Sequence, residues 1–171
     1  MKSNSRMGPL LEMLGSISLA ETELPVELQD LLSAGWCTGP ASSLLLKGLS
    51  GLGWRTDWLP DEVSQHEYEV NDVWISPAGI PGPRDAFFGF LLARAMKFAI
   101  IGLLSARELE GSDHLVAVIS LGVEEDDTRN GATVKFLTRR SGYPSSFDDL
   151  ERFQLEAMAV LGLVDTGRFG F

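Results

Sequence analysis

The residues best suited to acid–base chemistry in this sequence are its two histidines, each of which has an acidic neighbour in the chain. His66 precedes Glu67, and Asp113 precedes His114. A histidine paired with a carboxylate can act as a general acid or base near neutral pH. The sequence contains no His-Glu-x-x-His or Cys-x-x-Cys motif, so we expect no metal and no cofactor. A small enzyme that uses His66 or His114, with or without a metal, is kept as an alternative.

A second candidate for chemistry is the single cysteine, Cys37. It lies beside Trp36 and just before a predicted helix, a position that can lower the pKa of a thiol and so make it reactive. A lone cysteine more often serves in packing. One cysteine permits no intramolecular disulfide, which favours a reducing compartment, and we expect a cytoplasmic protein. Gly-x-Ser-x-Gly, Walker and Gly-x-Gly-x-x-Gly motifs are absent from the sequence.

The most unusual part of the chain runs from Trp54 to Trp74 and combines aromatic rings with carboxylates. Three of the four tryptophans and six acidic residues lie there, against a single basic residue, Arg55. A second acidic run follows at Glu124-Glu125-Asp126-Asp127. Aromatic side chains supply contact area at low entropic cost, and carboxylates attract a basic partner. This combination favours a surface that binds a basic partner. The alternative is that the tryptophans only cover the core and the acidic side chains are only solvated.

The net charge of the chain also favours a basic partner. Acidic residues exceed basic ones by 24 to 14, a formal charge of −10, which disfavours nucleic acids and anionic membranes as partners. We therefore predict a non-catalytic protein that occupies a basic surface of another protein, as an immunity protein or an inhibitor does. The predicted partner-binding residues are Trp54, Trp58, Asp61, Glu62, Glu67, Tyr68, Glu69, Asp72, Glu124, Glu125, Asp126 and Asp127.

Two basic residues interrupt the longest apolar segment, which we predict to be a helix over about 84–108. The stretch from Ala86 to Ala106 has the length of a membrane span, but Arg94 and Lys97 near its middle each cost on the order of 3 kcal/mol in a bilayer. A buried core helix is favoured instead. The two cations then extend out of the core, pair with internal carboxylates, or form an anion site or an interface.

The remaining elements must position these residues. Short helices are predicted at about 9–14, 25–35 and 38–51, and short strands around Tyr68–Val70 and Val73–Ile75. The β-branched run at 114–123 and the alternating run at 132–140 predict a hairpin over 114–140. Ser145 and Ser146 precede a predicted C-terminal helix at about 147–161. The sequence therefore predicts an α+β fold, in which a small antiparallel sheet packs against the long helix.

The length of 171 residues is that of one domain, and we predict a single globular domain over residues 1–171. A subunit of a larger assembly is a further alternative, because the apolar helix and the phenylalanines Phe169 and Phe171 could then lie in a permanent interface.

Overall fold

The chain forms a five-stranded antiparallel sheet, a separate two-stranded sheet and several helices in a computed structural model that describes residues 1–50, 57–80, 84–122 and 131–169. The helices in these ranges are α1 (Met7–Leu14), α2 (Val26–Ala34), α3 (Val63–Val70), α4 (Arg84–Ala106) and α5 (Leu163–Thr166). The strands are β1 (Lys2–Ser3), β2 (Trp36–Thr38), β3 (Leu44–Leu46), β4 (Asp72–Ile75), β5 (Leu115–Gly122), β6 (Ala132–Thr138) and β7 (Glu156–Gly162). The predicted α+β class is confirmed.

The larger sheet has the order β1-β7-β5-β6-β4, and each strand is antiparallel to its neighbours. The predicted hairpin is confirmed, with Val118 of β5 opposite Lys135 of β6. β7 lies on the other side of β5, where Val160 pairs with Val118. The smaller sheet is the β2–β3 pair, in which Trp36 lies opposite Leu46.

α4 covers one face of the larger sheet, here called the inner face. Phe98 of α4 and Phe136 of β6 are both fully buried, with ring centroids 6.0 Å apart. Trp36 meets Phe136 edge to face at 5.2 Å and donates its indole N–H to the Gly102 carbonyl at 3.0 Å. Large side chains buried to this degree each contribute roughly 1.5–3 kcal/mol to the free energy of unfolding. The two sheets therefore share one core around α4.

The segment of α4 from Ala86 to Ala106 is long and apolar enough to cross a membrane, with a mean hydropathy of 1.9. However, 67% of its most apolar window is buried within the protein. This burial agrees with the predicted core helix.

The opposite, outer face of the sheet carries a second apolar cluster. Val116, Val118, Leu137, Met158 and Val160 are covered there by Phe147 and Leu150. The covering segment consists of 3-10 turns at Ser145–Asp148 and Leu150–Arg152. Asn4 fixes this segment to β7, since its amide donates to the carbonyls of Phe153 and Glu156 and accepts from the Met158 N–H.

Three element predictions are corrected by the structure. The predicted helix at 147–161 is wrong, because 3-10 turns and most of β7 lie in that range, and the C-terminal helix is α5. The predicted helix at 38–51 is wrong, because β2, a 3-10 turn and β3 lie there. The predicted strand around Tyr68–Val70 is wrong, since those residues end α3. β3 and β7 are buried on both faces and read as continuous apolar runs, which resemble a buried helix at the level of sequence.

Tyr143 at the edge of the outer cluster provides a test of this packing. Burial raises the pKa of its phenol, and the nearby Arg139 guanidinium opposes the rise. The hydroxyl is buried and has no hydrogen-bond partner within the described ranges. A phenol with a raised pKa stabilises the fold below pH about 10, and this contribution is lost as the pH rises further.

We therefore expect Tyr143→Phe to leave the free energy of unfolding near pH 7 unchanged within about 1 kcal/mol, because it removes an unsatisfied hydroxyl. Above pH about 10, the variant should lose less stability than the wild type. Urea unfolding at both pH values measures this, and a parallel alkaline decline in the two proteins would contradict the assigned burial.

Candidate functional site

The described part of the predicted partner-binding segment folds around α3, which lies against β3 and β6. Trp54 and Glu124–Asp127 lie outside the described residues, so their predicted role stays a prediction. The remaining members separate into two groups, one directed into the protein and one toward solvent.

Glu67 belongs to the interior. Its side chain is fully buried, and its Oε1 accepts hydrogen bonds from the Leu44 N–H at 2.8 Å and the Arg140 guanidinium at 2.6 Å. Its Oε2 accepts from the Thr138 N–H at 2.7 Å and the Thr138 hydroxyl at 2.6 Å. The prediction that Glu67 faces a partner is therefore corrected. This carboxylate connects β3 to the end of β6, and a partner cannot reach it because it is fully buried.

Asn71, one helical turn after Glu67, completes this interior connection. Its side-chain oxygen accepts from the Leu46 N–H at 2.9 Å, and its amide donates to the carbonyls of Leu44 and Phe136 at 2.8 and 3.1 Å. Side chains four residues apart share one helix face, so α3 directs both polar groups between the two sheets. The two side chains satisfy backbone groups that two unpaired strand edges would otherwise leave buried and unbonded.

Trp58 is also interior, with 8% of its surface exposed. Its ring stacks on His66 with the centroids 4.4 Å apart, and it cannot serve as the exposed anchor that the sequence suggested. The His66 imidazole lies 3.7 Å from Glu62 and 3.9 Å from Glu69. The acidic neighbours of His66 in space are thus the residues one turn away, because adjacent residues such as Glu67 leave a helix in different directions.

The solvent-facing group begins with the turn before α3 and continues along the exposed side of the helix. Asp61 is exposed, and the side chains of Glu62 and Glu69 are 45% and 58% exposed. Leu59, in the same turn, leaves 57% of its surface in water. The side chains of Asp61, Glu62 and Glu69 form no ion pair with lysine or arginine among the described residues.

β4 follows α3 directly and carries an exposed aromatic ring. The Lys135 ammonium lies 4.1 Å above the ring of Tyr68 and 2.7 Å from the Asp72 carboxylate, which joins α3 to β4. Burial lowers the pKa of Lys135, but Asp72 and Tyr68 outweigh this effect and raise it, so the Asp72 charge is neutralised. Two residues along β4, Trp74 is 55% exposed.

Trp74 has a defined place despite its exposure. A methyl group added to the buried Gly131 would lie 1.7 Å from the indole ring, so the ring rests on that glycine. One ring face is thereby held against the sheet while the remainder stays accessible. We name the set Leu59, Asp61, Glu62, Glu69 and Trp74 the α3 surface: two apolar side chains and three carboxylates that no lysine or arginine of the described residues neutralises.

The candidates for catalysis do not come together. His114 is exposed, lies 3.5 Å from Asp113, and lines a depression of about 180 Å³ with Arg140 and Glu110. His66 is not among the residues that line this depression. Cys37 lies within β2, not before a helix, and its thiol is 3.5 Å from the Leu45 carbonyl. Within the described ranges, no three His, Cys, Asp or Glu residues are grouped as a metal site.

Arg94 and Lys97 bind backbone carbonyls, an arrangement that the sequence alone did not suggest. The Lys97 ammonium donates to Ala20 at 2.8 Å and Thr22 at 2.7 Å, and the Arg94 guanidinium donates to Ser76 and to Ala78 at 3.0 Å. The alternative of pairing with internal carboxylates is wrong for the described residues, which place no carboxylate within 4.0 Å of either cation. Each cation fixes a loop against α4.

Some residues that shape these sites could be recognised in the sequence with a different period. Val63, Glu67 and Asn71 recur every four residues, a helical spacing that would have directed Glu67 inward with Val63. The exposure of Trp74 could be recognised from its alternation with Val73 and Ile75, which are buried on the other face of β4. In comparisons with protein-family models, with curated proteins and with solved structures, the chain has no match.

Proposed function

We propose that this chain is a non-catalytic protein-binding protein whose α3 surface occupies a basic surface of a partner protein. The exposed Trp74 carries the proposal, together with the three carboxylates on and just before α3. A tryptophan that leaves 55% of its area in water while its position is fixed against Gly131 is a preorganised anchor. Partly exposed tryptophans are enriched among the residues that dominate binding energies.

Electrostatics define the class of partner. Asp61, Glu62 and Glu69 lie within about two turns of the chain and form no lysine or arginine ion pair among the described residues. Together with the net charge of −10, they attract a cationic protein surface and repel phosphate backbones and anionic lipids. The proposal includes a cytoplasmic location, which the single cysteine favours, and an immunity or inhibitor role, which the acidic charge favours.

Charge reversal tests the proposal. We expect Asp61→Lys, Glu62→Lys and Glu69→Lys, combined in one variant, to weaken capture of a basic partner from the native host at least about 10-fold, since close charge pairs at interfaces couple by about 1.5 kcal/mol or more. Quantitative affinity purification with mass spectrometry measures the loss.

The matched control changes the net charge equally at another place. Glu108, Glu110 and Asp113 are exposed beyond the end of α4, so their combined reversal to lysine alters the total charge and leaves the α3 surface intact. We expect this control to retain the partner. If both variants lose the partner equally, the effect comes from the net charge and not from the α3 surface. If both variants retain the partner, the proposed surface is overturned.

A further inference from the structure

A cavity of about 760 Å³ lies between the end of α1, the loop after it, the loop after β4 and the first turns of α4. Its apolar walls are Met13, Ile17, Ile80, Ala86 and Phe90, and each of these side chains is only partly buried. Apolar area that borders a concave space of this size is typical of small-molecule sites, which measure roughly 300–1,000 Å³. The cavity lies on the α4 side of the fold and shares no residue with the α3 surface.

One buried cation, Arg94, lines this cavity. It is 8% exposed, and its Nη1 donates to the carbonyls of Ser76 and Ala78, which fixes the plane of the guanidinium. No carboxylate of the described residues lies within 4.0 Å of it. Burial lowers the pKa of Arg94 and the charge of Glu23 opposes the shift, but an arginine stays protonated in proteins. The cavity therefore contains a permanent positive charge that no carboxylate in the described part of the chain contacts.

The carboxylates of the lining occupy a different depth. Glu21 and Glu23 are exposed, so they belong to the rim, whereas Arg94 is the buried charged residue among the described lining residues. Glu23 also acts on Arg94 through its charge, so an acidic group bound at the guanidinium lies in the field of this carboxylate. The carboxylates at the rim weaken the binding of an anion, whereas the buried guanidinium strengthens it.

We propose that this cavity binds an apolar monocarboxylate, with its carboxylate on Arg94 and its hydrocarbon body against Met13, Ile17 and Phe90. A guanidinium held in one plane presents its donors in the geometry that a carboxylate accepts, and such charge-assisted bonds are about twice as strong as neutral ones. The anion pairs with the guanidinium, and the hydrocarbon covers partly exposed apolar side chains. This binding function is independent of the proposed protein partner.

Calorimetric titration of the full chain with three ligands of equal chain length tests the proposal: dodecanoate, dodecanol and dodecylammonium. We expect dodecanoate to bind about 10- to 100-fold more tightly than dodecanol, since a hydrogen bond to a charged group contributes more than a neutral one. Dodecylammonium should bind most weakly. Failure of dodecanoate to bind, or tighter binding of dodecylammonium at the acidic rim, would overturn the proposal.

Three variants assign the effect to named residues. Arg94→Met should lower the affinity for dodecanoate to that for dodecanol, and Ala86→Phe, which fills the cavity without removing the cation, should weaken both ligands at least about 10-fold. Glu23→Gln should tighten dodecanoate about 2- to 5-fold because it removes a repulsive charge. If Arg94→Met does not fold, the other two variants decide, and unchanged binding in both would contradict the assignment.

Discussion

Replacing Glu67 with alanine should lower the free energy of unfolding by about 3–5 kcal/mol, the range expected when one partner of a buried ion pair is removed. The variant leaves the backbone N–H groups of Leu44 and Thr138 without an acceptor and leaves Arg140 without its carboxylate. For a domain of this size, such a loss lowers the melting temperature by roughly 10 °C or more. Urea and thermal unfolding measure the two quantities.

Glu69 provides the matched control for Glu67. It lies two residues along the same helix, and 58% of its side chain is exposed, so Glu69→Ala should change stability by no more than about 0.5 kcal/mol. Glu67→Gln retains the volume and one acceptor oxygen and should fall between the two. Equal stability of Glu67→Ala and Glu69→Ala would show that the buried carboxylate does not join β3 to β6.

Gly142→Ala should destabilise the protein by about 3 kcal/mol or more. Gly142 has φ of +83°, where an L-residue costs roughly 1–2 kcal/mol, and its added methyl group would lie 1.9 Å from the Asp61 carbonyl oxygen. Relief of this contact requires the backbone at Asp61 to move. Because Asp61 belongs to the α3 surface, the variant should also weaken capture of the partner.

Gly111 provides a control that separates the cost of the positive φ from the cost of the close contact with Asp61. It has nearly the same φ, +82°, but an added methyl group would meet no atom within 4 Å. We expect Gly111→Ala to lose only the backbone contribution of about 1–2 kcal/mol and to leave partner capture unchanged. If both glycine variants lose equal stability in urea unfolding, the close approach of Gly142 to the turn before α3 is contradicted.

The elements that were predictable from sequence are those with one strong local signal. α4 is apolar on nearly every side over more than five turns, and β5 contains a run of residues that favour strands. β6 alternates, so Val134 and Phe136 face α4 while Lys135 faces outward. These patterns persist because burial on a single face or on all faces leaves a regular record in the sequence.

Where the prediction failed, long-range contacts determine the local structure. β7 reads as a helix, but it inserts between β1 and β5 and forms hydrogen bonds with segments far away in the chain. α3 alternates like a strand, because Tyr68 and Val70 are spaced two apart, yet Glu67 and Asn71 find their partners only when the segment is helical. Such partners lie too far along the sequence for a local pattern to reveal them.

The candidate site was located in part. The sequence identified the region around α3 and its acidic character, but it did not distinguish the buried Glu67 and Trp58 from the exposed Glu69 and Trp74. Arg94 was recognised as an unusual cation in an apolar helix, a position that allowed several roles. Its place in a cavity depended on the loops after α1 and β4, whose packing no local pattern describes.

Site-specific photo-crosslinking tests the proposed partner surface most directly. A photoreactive residue at Gln65, on the exposed side of α3 and hydrogen-bonded to Glu69, should crosslink a basic protein in extracts of the native host. The same residue at Glu27, exposed on α2, should not. We predict a crosslink from position 65 that disappears in the Asp61, Glu62 and Glu69 reversal variant. A basic protein crosslinked from position 27 but not from position 65 would contradict the account.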